Sequence, residues 1–148
     1  MTELKLLRGD IIERTANLES LIAGVLSQHY FGRGRQDFIF DFLFDEYCTF
    51  ALKRRILLKV APDLKKVQGF EQSLNRLNTI RNYFAHVGAL ISDGPAPNAL
   101  NRTPHPENFE KSVDFEALHQ EFLAKEKPVV EALFQLYRQL GGTFAHGA

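Results

Sequence analysis

The chain has 148 residues, a length that suits one domain spanning 1–148 and able to bury a core without disulfides or metals. Apolar residues make up 45% and charged residues 24%, which excludes a disordered or low-complexity chain. Lys plus Arg and Asp plus Glu number 18 each, and that balance excludes a general nucleic-acid coat protein, which needs a basic surplus, while allowing a local basic patch.

Leu4 to about Tyr30 has helical periodicity, with Leu4, Leu7, Ile11, Leu18, Ile22, Val25 and His29 at spacings of three, four or seven. Gly32 and Gly34 punctuate the chain after it. Gln36 to Tyr47 is dense in Phe. Asp37, Asp41 and Asp45 repeat every four residues there, which predicts a helix buried except along an acidic stripe. Cys48, the only cysteine, has no partner for a disulfide or a Cys-based zinc site, and its aromatic neighbours predict a buried, inert thiol.

Thr49 to Val60 reads as another helix, apolar at Phe50, Leu52, Ile56, Leu57 and Val60, with Lys53, Arg54, Arg55 and Lys59 on its exposed side. Pro62 and Gly69 mark a connection. Phe70 to Val87 forms the next helix, with Phe70, Leu74, Leu77, Ile80, Phe84 and Val87 on the apolar side and Gly88 as its stop. A Pro-rich surface loop is expected at about 92–113. The last helical segment starts after Asp114, a good N-cap. It is apolar at Phe115, Leu118, Phe122, Val129, Leu133, Leu136 and Leu140, and Pro128 either kinks or divides it. Gly141-Gly142 ends it. These patterns predict an all-α helical bundle of four or five helices with no sheet.

Met1-Thr2-Glu3-Leu4-Lys5 lacks the apolar core of a signal peptide, and no apolar run approaches a membrane span. A cytoplasmic protein with no membrane contact is expected. No cluster of metal-ligand types stands out, and no cofactor is implied. His29, His105, His119 and His146 show no ligand spacing and are assigned to surface or core roles.

Arg81-Asn82-Tyr83-Phe84-Ala85-His86 carries the functional signal. Arg81 and His86 lie five positions apart, about 140° around a helix, so one helix does not aim both at one point. Asn82 and His86 share a face. Arg81 must therefore reach across or meet its partners on another chain. A purely structural alternative pairs Arg81 with the aspartate stripe and uses His86 to cap the helix end.

The stretch Leu77 to His86 resembles the signature of the HEPN superfamily, an Arg commonly followed by Asn, with His four to six residues on. Its Ile-Arg-Asn, any residue, Phe-Ala-His form is similar to the mannitol repressor branch. Phe50-Ala51-Leu52-Lys53-Arg54-Arg55 resembles the aromatic-to-basic helix that precedes the motif there. The likeness covers roughly Leu18 to Gly88. It implies a HEPN-like bundle, a homodimer, and metal-independent RNA cleavage in a composite cleft where Arg81 and His86 of two protomers meet. His86 would move protons, Arg81 would hold developing phosphorane charge with its fork, and Asn82 would orient the phosphate or His86. Lys53, Arg54, Arg55 and Tyr83 are the candidate RNA-binding residues. Lys59, Lys65 and Lys66 extend the basic stretch, which otherwise is a solvated face balanced by Asp37, Asp41 and Asp45. The superfamily holds ribonucleases, including toxins and defence components, and also inactive interaction modules. An antitoxin or a regulatory protein is thus a possible partner, and a non-catalytic regulator or adaptor is the alternative function.

Overall fold

A computed structural model of the chain describes residues 2–92, 102–105 and 108–143, with side chains for 3–86 and 114–143. Among the described residues, four α-helices form the bundle: α1 (Thr2–Phe31), α2 (Phe50–Val60), α3 (Phe70–Ser92) and α4 (Phe115–Gln139). A π-helical turn, Phe38–Leu43, joins α1 to α2, and a 3-10 turn, Pro62–Lys66, joins α2 to α3. The all-α architecture agrees with the patterning of the sequence.

The core forms where the apolar stripes meet. Leu4, Ile11, Leu18, Ile22 and Val25 of α1 face Leu74, Leu77, Ile80 and Phe84 of α3 and Phe115, Phe122, Val129 and Leu133 of α4, all buried. Leu57 and Leu58 of α2 close the same cluster. Thr49 caps α2 by accepting from the Leu52 amide, and Asp114 caps α4 by accepting from the Glu116 and Ala117 amides. One helix runs through Pro128.

Two α1 side chains fasten the far end of the bundle. Buried Gln28 donates to the carbonyls of Gly32 and Leu140, both at 3.0 Å. The Ser27 hydroxyl donates to the Arg33 carbonyl and accepts from the Arg35 amide. After α4, the amides of Gly142 and Gly141 reach back to the carbonyls of Tyr137 and Arg138, a Schellman closure. Gly141 takes φ +90°, and a Cβ on Gly142 would collide with the Tyr137 ring, so both glycines are required there.

Three expectations fail. The Phe-rich segment is not a largely buried helix. Among its residues from 38 to 44 only Leu43 is fully buried, while Phe40 is 63% and Phe42 55% exposed. α3 does not stop at Gly88 but runs to Ser92, since one glycine costs a helix only about 1 kcal/mol. The proline-rich segment is not wholly loop. Strands β1 (Arg102–His105) and β2 (Asn108–Asp114) pair antiparallel, with Pro104 opposite Ser112. Both strands of a two-stranded ribbon are edges, where a proline's missing N–H is tolerated. Pro95 and Pro97 lie outside the described residues.

Candidate functional site

The helical period of α3 sorts its residues. Leu74, Leu77, Ile80 and Phe84 turn into the core. Asn75, Thr79, Asn82 and His86, spaced four, three and four apart, are left on one stripe facing away from it. Asn75, Asn82 and His86 are exposed. Arg81 is half-buried, and its Nη1 donates to Asn82 Oδ1 at 3.2 Å. The guanidinium thus bends round to the Asn82–His86 side, which narrows the angular gap between positions 81 and 86.

The structural alternative for the motif is not realised among the described residues. Among the described residues no carboxylate of the aspartate stripe pairs with Arg81; Asp37 is gripped by the Arg35 guanidinium. His86 does not cap the helix, since α3 continues beyond it to Ser92.

The candidate RNA-binding residues do not form one exposed patch. Lys53 is buried, with its Nζ 2.9 Å from Glu19 Oε2 and 4.8 Å from the centroid of Phe44. It is spent inside the protein and is unavailable to a phosphate. Tyr83 is half-buried and hydrogen-bonds Arg76, whose guanidinium is forked onto Glu121 of α4. Arg54 is half-buried but reaches α3, where its Nη1 bonds Asn75 Oδ1. This contact places Arg54 beside the stripe that holds Asn82, about 10 Å further along the helix axis. Arg55 is exposed, and Lys66 pairs with Asp63 at 3.3 Å. Among the described residues no ion pair joins the aspartates at 37, 41 and 45 to α2; Lys53 is held by Glu19, and Arg54 bonds Asn75.

A second polar cluster escaped the sequence reading. His119 Nε2 lies 2.7 Å from Asp10 Oδ2, the same oxygen receives Arg14 Nε at 2.8 Å, and Arg14 Nη1 reaches Glu126 Oε1 at 2.7 Å. Asp10 and Arg14 belong to α1, and His119 and Glu126 to α4. Residues 109 positions apart leave no local spacing to notice. Burial raises the Asp10 pKa, but the hydrogen bonds from His119 and Arg14 outweigh it and hold the carboxyl below its ordinary value. Burial pushes the Cys48 thiol up, as suits an inert cysteine.

These pairings fix the directions of the helices. Arg76 meets Glu121 and Phe84 meets Phe115, so α3 runs antiparallel to α4. Asp10 meets His119 and Gln28 meets the end of α4, so α1 runs parallel to it. The Arg81–His86 stripe therefore lies toward the end where α1 and α4 begin. Phe31 lies at the other end, about 30 Å along α1 from Asp10.

No protein-family model, no curated protein and no solved structure matches this chain. Among the described residues no group of three or more His, Cys, Asp or Glu side chains is arranged to hold a metal ion, and no helix is long and apolar enough to cross a membrane.

Proposed function

We propose that this chain is a HEPN-type, metal-independent endoribonuclease, acting in the cytoplasm as a toxin or defence component, with a composite site made by Arg81, Asn82 and His86 of two protomers. One observation carries the reading. The polar residues of the motif are not consumed by the fold: Phe84 fills the core while Asn82 and His86 stand exposed, and Arg81 leans toward them with no carboxylate to neutralise it among the described residues. An exposed imidazole beside an unneutralised guanidinium suits cleavage through the RNA 2′-hydroxyl. His86 exchanges the proton, and the Arg81 fork holds the extra charge on the phosphorus oxygens. Arg54 and Arg55 supply backbone contacts along the same flank, and Lys53 does not.

Purified protein is expected to cut RNA in EDTA and to leave a 2′,3′-cyclic phosphate or its hydrolysis product. His86→Ala should lower the rate by about 10²–10⁴-fold. Arg81→Lys should also be damaging, because an ammonium does not reproduce the fork. Wild type that leaves RNA intact, together with a His86→Ala protein that loses its fold or its self-association, would refute the catalytic assignment.

The alternative is a non-catalytic regulator or adaptor resembling the mannitol repressor branch. It is favoured by the exposed aromatic residues Phe40, Phe42 and Tyr47, which a free-standing enzyme has no need to display. A neighbouring antitoxin gene supports the toxin, and a sugar-transport operon supports the regulator.

A further inference from the structure

The connection from α1 to α2 carries an unusual surface. Tyr30 is 54%, Phe40 63%, Phe42 55% and Tyr47 82% exposed. At about 200 Å² per aromatic side chain, these four together expose about 500 Å², comparable to the largest apolar patch of an ordinary monomer, about 300–600 Å² and often functional. The rings are ordered against one another: Phe38 stacks on Phe42 with centroids 5.5 Å apart, and Phe40 stacks on Phe44 at 5.9 Å. Leu43 anchors the π-helical turn from below. Beside it lies a groove of about 350 Å³, lined by Asp41, Phe42, Asp45, Tyr47, Cys48 and Leu52.

The charges around the groove select its occupant. Arg35 is taken by Asp37 and lies over the Phe31 ring. Asp41 and Asp45, both in the lining, make no ion pair among the described residues; Lys53 is held by Glu19, and exposed Arg55 stands a turn beyond Leu52, outside the lining. The chain is neutral overall, yet the lining of the groove holds two carboxylates and no cation. A second copy docked through the same face would set like charges together, which penalises that pairing. A cationic, apolar segment meets no such penalty. Its apolar residue enters between Phe42, Tyr47 and Leu52, a Lys or Arg stem lies along an aromatic face, and the charged head reaches Asp41 and Asp45.

From this combination we infer that the Asp41–Leu52 groove docks a basic amphipathic peptide segment of a partner protein. The inference does not depend on RNA cleavage, since no residue of the groove belongs to the Arg81–His86 motif.

The test uses the full chain and a fluorescent helical peptide of Leu and Lys, with a matched peptide carrying Glu in place of Lys. Anisotropy should show saturable binding of the Lys peptide that weakens as salt rises, and none of the Glu peptide. Phe42→Ser should weaken it roughly tenfold or more, the scale of a central contact. Asp41→Asn with Asp45→Asn should do likewise, and it leaves the apolar floor intact should Phe42→Ser disturb the turn. Asp63→Asn, which removes an exposed acid elsewhere, should leave binding unchanged. Three results would overturn the proposal: equal binding of the two peptides, equal loss with Asp63→Asn, or a wild-type dimer in sedimentation that Phe42→Ser dissociates.

Discussion

Lys53 is held at 3% side-chain exposure by a single carboxylate, Glu19, with the Phe44 ring close by. The two members of this pair are not equivalent. Glu19 is 23% exposed and can regain water if its partner is lost, whereas the Lys53 ammonium cannot. Removing Glu19 strands a buried charge, so Glu19→Ala should destabilise by about 3 kcal/mol. Lys53→Met keeps most of the volume and removes the charge, so it should be near neutral. Urea denaturation of the three proteins checks the asymmetry, and equal losses from both substitutions would contradict it. Sequence alone misassigned this residue for a plain reason. The run of Lys53, Arg54 and Arg55 reads as one solvated basic face, and the acid that draws Lys53 inward is 34 positions away on another helix.

The clasps between helices set the pH response. Asp10 on α1 is held below its ordinary pKa by His119 and Arg14 against the opposing effect of burial. Glu121 on α4 is lowered by the Arg76 hydrogen bond of α3, again against burial. A carboxyl lowered in the folded state binds its proton more weakly there than in the unfolded chain. Its contribution is therefore full above the ordinary carboxylate range, about pH 4, and is lost as pH falls through the lowered value. The urea midpoint of wild type should drop between about pH 5 and pH 3. Asp10→Asn with Glu121→Gln should flatten part of that drop, and an unchanged slope would show that other carboxyls carry it. Solvent reaches both pairs, so the effect is modest. At this scale the four helices were legible, because Leu74, Leu77 and Phe84, or Phe115, Phe122 and Val129, state their buried faces by period alone. The Phe-rich turn was not. Apolar identity marks a core only where another element arrives to cover it, and beyond Tyr30 and Phe31 too little of the bundle does so. The aspartate spacing of four fits a π-helical turn as well as an α-helix, so it could not decide the local geometry either.

For the whole molecule, two surfaces are set apart. The Arg81–His86 stripe lies toward the end where α1 and α4 begin, whereas the groove is built by the connection from α1 to α2 and by the first turn of α2. They share no residue, so the proposed site shared by two protomers calls on the motif flank and not on the groove. An isologous pairing through α3 would bring each Arg81 toward the His86 of the other copy. The sequence singles out Arg81, Asn82 and His86 as a group, but only the fold shows that the core leaves Asn82 and His86 outside. Mixing two inactive variants separates shared from self-contained sites. In a heterodimer of Arg81→Ala with His86→Ala, the intact Arg81 comes from one chain and the intact His86 from the other. If the working pair forms across the interface, each heterodimer keeps one of its two sites. Half of a randomly exchanged 1:1 mixture is heterodimer, so about a quarter of wild-type RNA cleavage should return. If each chain instead uses its own Arg81 and His86, no chain in the mixture has both, and activity should stay at the level of the single variants. Sedimentation of the mixture at the assay concentration verifies that exchange has occurred. A silent mixture of exchanged dimers, with active wild type beside it, would rule out a site shared in this way.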